Sequence, residues 1–380
     1  MSAAVFTPGA FPHITQAIVS RISAQDRNTL RAVCRNLRDV VDIHLVAHID
    51  IVALYAEDFT TDTSEFGRRP LRVRNAGFIP YELRSYGHGG ERVAAFCPAT
   101  SPTDRSNALL EHVRAVDLDG GPRARDVAGL IPFLTGVTTV RLCWSTEFCR
   151  LGFPRGCWHA GYDEVAKCTV PADTVVSFMR KGSLPAFSSR AARKVTRLVF
   201  VHYEYRRDSL HPYSNLTSDL PHVREIVLMF GLSVRTWSHP GSPLHPSLVA
   251  AAAAHVTWFG FIQAGSHPKV TVVDIDNMWT WQATGKGLAA GVDCTAVIPA
   301  VKAAVAEEIR RTMSMSEQES KEEVERRFEF LSAPQYRARV GDDVYALYTA
   351  CTPESAVSRL HHIPSALLFP RGYEGEWTYV

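Results

Sequence analysis

The sequence predicts an α/β protein in which short N-terminal helices precede a series of parallel strands with helices outside them, followed by a helical C-terminal cap. Three observations carry this. Apolar residues fall at helical spacing before residue 60. A Val-x-x-apolar-x-apolar pattern then occurs six times between Val113 and Ile275, and beyond Ala296 the spacing is helical again. Composition agrees: 380 residues, 46% hydrophobic and 21% charged, supply a sizeable core for more than one folding unit and exclude wholesale disorder. The boundaries read as 1–58 helical, 59–104 linker, 105–295 strand-and-helix units, and 296–380 helical cap.

From Phe11 the residues Ile14, Ile18, Val19 and Ile22 keep helical spacing, and Pro12 has the fixed φ that suits a first helical turn. Ser23 with Asp26 three residues on is a capping-box variant. It opens a second helix with Leu30, Val33, Leu37, Val40 and Val41 on one face and Arg27, Arg31, Arg35 and Arg38 on the other. A third helix is predicted from about Asp42, burying Leu45, Ile49 and Val52. Three such helices bury too little apolar surface to stand alone, so they dock on the rest of the chain, on another protein, or on both.

The six strand patterns begin at Val113, Val137, Val195, Val223, Val256 and Val270. Helical stretches are predicted in "DVAGLIPFLTG", "ADTVVSFMRKG" and "HPSLVAAAAAH", before the second, third and fifth of them. The starts are 24, 58, 28, 33 and 14 residues apart, and the 58-residue interval has room for a hidden repeat or an insertion. The first, third and fourth intervals lie in or near the about 20 to 29 residues of leucine-rich repeats. Stacked units of that kind give a curved parallel sheet with helices outside and one sheet face open to partners. A general α/β fold, whose parallel strands also resemble one another, is the competing reading. In the C-terminal part, "AVIPAVKAAVAEEIRRTM" reads as a helix, and Val324, Phe328 and Leu331 mark the buried stripe of the next one. These helices are expected to close the end of the stack, and the following "DDVYALYTA" reads as core-bound.

The segment from Phe11 to about Ile51 resembles an F-box, the motif by which substrate receptors attach to the Skp adaptor of cullin-RING ubiquitin ligases. The residues carrying the resemblance are Phe11-Pro12 in place of an opening Leu-Pro, then Ile14, Ile18, Val19 and Ile22, Ser23 and Asp26, and Leu30, Val33-Cys34-Arg35, Leu37 and Val40-Val41. The first turn departs from the pattern, with Phe for Leu and no acidic residue after the Pro. An F-box followed by degenerate leucine-rich repeats is the arrangement of many fungal F-box-like proteins, which the whole chain resembles. The resemblance implies an adaptor-binding surface made of Phe11, Pro12, Ile14, Ile18, Val19, Ile22, Leu30, Val33, Cys34, Arg35, Leu37 and Val40.

A catalytic site is not legible. "WQATGKG" lacks the first Gly and the Ser/Thr of a phosphate-binding loop, and "GHGGER" has no nucleophile elbow to accompany it. Cys143, Cys149, Cys157, His159 and Cys168 crowd into 26 residues, but without the short chelating pairs of structural zinc sites they read as buried thiols and a loop Trp-His. The clusters Arg68, Arg69, Arg72, Arg74 and Arg190, Arg193, Lys194, Arg197 read as solvated faces that an acidic degron or phosphate would also suit. A net charge of +2 argues against a nucleic-acid partner.

No cofactor or metal is expected. Eight cysteines without a CxxC pair, no signal-peptide pattern and no apolar run longer than Leu248–Ile262 predict a cytoplasmic or nuclear chain without a membrane span, in which the Asn215 sequon stays unmodified. The expected function is that of a non-enzymatic substrate receptor, binding the Skp adaptor and through it the cullin-RING ligase, with an unidentified protein substrate on the repeats. A scaffold that keeps the F-box shape without ligase function, and an α/β hydrolase or transferase with an unrecognised site, are the alternatives.

Overall fold

Alternation of apolar residues through the centre of the chain is realised as a sheet. The computed structural model describes residues 12–22, 24–33, 35–53, 71–75, 82–85, 105–119, 127, 129–143, 167–179, 186–202, 220–230, 246–260, 267–275 and 296–349. Its helices are α1 (Pro12–Arg21), α2 (Ala24–Val33), α3 (Arg35–Val46), α4 (Arg105–Leu110), α5 (Ser189–Ala192), α6 (Pro246–Gly260), α7 (Val297–Met313), α8 (Glu317–Arg327), α9 (Ala333–Val340) and α10 (Asp342–Thr349). Its strands are β1 (His48–Ala53), β2 (Leu71–Asn75), β3 (Glu82–Ser85), β4 (Ala115–Asp119), β5 (Thr139–Cys143), β6 (Lys167–Cys168), β7 (Thr174–Met179), β8 (Ala186–Phe187), β9 (Arg197–His202), β10 (Glu225–Phe230), β11 (Lys269–Val273) and β12 (Phe328–Leu331).

Eight of these strands, β1, β4, β5, β7, β9, β10, β11 and β12, lie side by side in chain order, every neighbouring pair parallel. The antiparallel strands β2 and β3 extend the sheet beyond β1, and β6 pairs with β8 separately. Along these eight parallel strands the order never reverses; the chain doubles back at β1, from which β2 and β3 run outward before β4 pairs on its other side.

Each unit enters its strand in the same way. Val113, Val137, Val195 and Val223 are buried two residues before a strand, and the amides of Val113 and Val223 bond back to the carbonyls of Leu110 and Leu220. Backbone bonds then join each unit to the one before it, in most cases with two amides of the later unit sharing one carbonyl of the earlier. Arg114 N–H donates to Ala47 O (2.8 Å), Thr138 to Arg114 (2.9 Å), Thr174 to Thr138 (2.9 Å), Thr196 to Asp173 (2.9 Å), Arg224 to Thr196 (2.8 Å) and Lys269 to Arg224 (2.8 Å). The strand entrances are thereby satisfied, as buried backbone groups must be.

The strand residues divide cleanly between two faces. Ile49, Ile51, Val116, Leu118, Val140, Leu142, Val175, Leu198, Phe200, Ile226 and Leu228 join the large core with Leu110 of α4, Ala191 of α5, Val256 and Phe259 of α6, and Val301 and Val305 of α7. Fully burying each large aliphatic contributes about 1.5–3 kcal/mol. The opposite face carries Val176, Phe178, Val199, Val201, Val227, Met229 and Val273, and Tyr336 of α9 and Tyr348 of α10 pack on it. The helices between the strands therefore line one face, and the last two helices cross to the other.

Several expectations are corrected. The second helix, predicted to run through Val41, is two helices, α2 ending at Val33 and α3 starting at Arg35. The predicted third helix is the end of α3 followed by β1, in which His48, Ile49, Asp50 and Ile51 alternate and pair with β4. "LRVRN", placed in the linker, is β2. "ADTVVSFM" is the strand β7 rather than a helix, because Val175 and Val176 must face opposite sides of the sheet.

The interval of 58 residues does hold a hidden strand: β7 pairs with β5 on one side and β9 on the other. Val256-Thr-Trp-Phe-Gly-Phe261 is no strand, since Val256 through Gly260 lie in α6. The stripe Val324, Phe328, Leu331 is split between the end of α8 and β12, with Phe328 in the large core and Leu331 on the opposite face.

Candidate functional site

The N-terminal surface is built by α1, α2 and α3. On α1, Thr15 (2% exposed) and Val19 (0%) face inward, whereas Ile14 (41%) and Ile18 (47%), one turn apart, face outward. Val19 and Val41 of α3 form a small core with Leu30 and Val40 packed against it. Val46, at the end of α3, enters the large core with Ile49, so the unit is anchored on the sheet through α3. Among the described residues, the large apolar side chains that stay exposed are Ile14, Ile18, Val33 (65%), Ile43 (37%) and Met313. Four of these five sit on α1–α3, where isolated exposed apolar residues would be scattered over the whole surface.

The predicted adaptor-binding residues thus separate into three groups. Ile14, Ile18 and Val33 are exposed; Val19 is buried inside the unit; Ile22, Leu30, Leu37 and Val40 are half-buried. Pro12 and Arg35 open α1 and α3, and Phe11 and Cys34 lie outside the described residues.

A second constellation, not legible in the sequence, lies on the far sheet face beside the apolar patch. Asp117 of β4 is 2% exposed and takes an ion pair from Arg141 Nε of β5 at 2.9 Å and a hydrogen bond with His48 Nε2 of β1 at 2.6 Å. Arg141 is itself 3% exposed, lies 5.3 Å from the centre of the Phe178 ring, and donates from Nη1 to the Leu347 carbonyl in the last turn of α10 (2.9 Å). A cation at a helix C-terminus answers both the unsatisfied carbonyls and the dipole there. The buried pair therefore reaches across to the last turn of α10. Further along, Arg197 Nε pairs with Glu225 (2.7 Å) and its Nη1 donates to the Tyr348 hydroxyl (3.3 Å), while Arg339 of α9 bridges Glu225 (2.9 Å) and Glu329 (2.6 Å). Strand alternation hinted at this face, since Asp50, Asp117 and Arg141 occupy the positions between buried aliphatics, but that pattern is equally that of a solvated face.

A third cluster lies on the helix side. His202, at the end of β9, and His255 of α6 are each 4% exposed, with their Nε2 atoms 3.5 Å apart, the Phe230 ring stacked on His202 and the Phe259 ring edge-on to His255. Burial pushes both imidazoles down, His202 further lowered by its neighbour, and His255 is held at about 4. Both are neutral at physiological pH.

Of the cysteine-rich segment, Cys143 lies in β5 and Cys168 is fully buried; Cys149, Cys157 and His159 lie outside the described residues. The Cys168 thiol donates to the Val170 carbonyl, and burial pushes its pKa up to about 12, so it stays protonated and inert. Among the described residues no group of three or more His, Cys, Asp or Glu converges on a metal position, and no helix is long and apolar enough to cross a membrane. In the basic cluster of residues 190–197, Lys194 donates to the Val137 carbonyl (3.1 Å) and Arg197 is paired with Glu225, which leaves Arg190 and Arg193 as its exposed members.

Comparison of the chain with protein-family models, with curated proteins and with solved structures gives no match.

Proposed function

We propose that the chain is the substrate-recognition subunit of a Skp–cullin–F-box ubiquitin ligase, with α1–α3 as its adaptor-binding F-box-like unit. The observation that carries this reading is the concentration of exposed apolar side chains, Ile14, Ile18 and Val33, on three short helices. Turn-and-strand units laid down in chain order support reading the sheet as a degenerate leucine-rich-repeat solenoid that holds a protein substrate. Ubiquitin transfer itself would belong to the RING and conjugating subunits.

Co-purification with a Skp adaptor tests the reading. The wild-type chain is expected to give a stoichiometric complex. Ile18→Asp and Val33→Asp, both at exposed positions, are expected to weaken it by at least about ten-fold with the melting of the chain unchanged, because a charge is driven into an apolar contact. A wild-type chain that forms no complex would sink the proposal.

A further inference from the structure

The sheet face expected to stay open is occupied by the chain's own last described helices. α9 and α10 lie across β7, β9, β10 and β11, where Tyr336 and Tyr348 enter the patch of Val176, Phe178, Val199, Val201, Val227 and Met229. The attachment rests on few deeply buried groups: Ala333, Val340, Val344, Tyr345 and Leu347 pack half-buried around the two tyrosines, Arg141 donates to the Leu347 carbonyl and Arg197 to the Tyr348 hydroxyl. From Ala333 to Thr349 only these two tyrosines are buried, and Val340, Val344 and Leu347 are partly exposed. The Tyr336 hydroxyl and the Thr271 hydroxyl on the same sheet face are buried with no hydrogen-bond partner among the described residues, a cost that a fully evolved core contact avoids. The ion pairs holding Arg339 are a third exposed, so water competes for them. Each helix has eight residues, too few to persist once lifted, and Gly341 between them has φ +87°, a conformation that favours glycine.

We infer that residues 333–349 are a strap filling this face in cis, and that the face binds a helical segment of a partner protein that displaces the strap. The partner segment presents two aromatic anchors to the apolar patch and a basic side chain to Glu225 and Glu329, as Tyr336, Tyr348 and Arg339 do here. That the displacing partner is a ubiquitylation substrate rests on the proposed function; the strap does not.

The test uses a labelled synthetic peptide of residues 332–350 and the full-length chain, either wild type or with Tyr348→Ala and Arg339→Glu together. In the wild type the strap competes at high effective concentration, whereas the double variant leaves the face vacant more of the time and is expected to bind the peptide at least about ten-fold more tightly. Hydrogen exchange in the wild type is expected to be faster over 333–349 than over β9 and β10. Exchange over 333–349 as slow as in β9 and β10 would overturn the inference, whether or not the double variant folds. So would a folded double variant that binds no peptide. Skp adaptor binding of the same double variant is expected to equal that of the wild type. Adaptor binding absent from both would overturn the receptor reading and leave the strap result standing.

Discussion

His202 and His255 meet, both buried, between sheet and helix, and this makes the fold sensitive to acid. In the unfolded chain both titrate near 6.5, while the folded chain keeps His255 neutral down to about 4 and His202 neutral well below 6.5. Between those values the unfolded state binds more protons. Stability is therefore fully present above pH 6.5 and is lost as pH falls, by up to about 1.4 kcal/mol per pH unit for each histidine. Urea midpoints measured at pH 7.5 and 5 are expected to show the fall, and the pair His202→Phe with His255→Phe is expected to flatten it. Asp117 behaves differently, because its loss strands Arg141 as a buried cation: Asp117→Ala is expected to cost about 3–5 kcal/mol in chemical denaturation. At Gly260 a Cβ would meet the Phe328 ring at 2.7 Å, so Gly260→Ala forces β12 and α6 apart and is expected to lower stability by about 1–3 kcal/mol.

Among the elements, the legible ones were those whose side chains announce a single partner. Four Val-x-x-apolar-x-apolar units, at Val113, Val137, Val195 and Val223, became turn-plus-strand units because their three apolar positions all face the helix layer. The unit at Val270 is shifted: Val270 pairs with Ile226, the second apolar position, so the residue equivalent to the first Val is His267. β7 reads as a helix in the sequence because it is buried on both faces, and a run such as Val175-Val176-Ser177-Phe178 has no alternation to distinguish it from one. α2 and α3 read as one helix in the sequence because the apolar spacing of Leu30 and Val33 continues in Leu37 and Val40. Ile14, Ile18 and Val33 stand close together in the sequence, whereas Asp117 and Arg141 of the buried ion pair meet only through the pairing of β4 with β5. The clearest local signal is at α8, where Ser316 and Glu319 satisfy each other's backbone amides in a capping box. Ser316→Ala is expected to cost about 1 kcal/mol, read as a shift in the urea midpoint.

For the molecule as a whole, the chain order of its eight parallel strands has a mechanical consequence. β12 forms one border of the sheet, and each strand inward from it is the one that precedes it in sequence along the parallel series. A load applied at the C-terminal side of β12 therefore meets one strand pairing at a time, like a zipper, instead of shearing many pairings together. Once β12 and β11 have peeled away, the chain between the paired residues Glu225 and Lys269 adds 44 residues of slack, about 15 nm when taut. The next pairing, Arg197 with Glu225, releases 28. Unequal unit lengths, which blurred the repeat in the sequence, would become a ruler in a single-molecule extension trace.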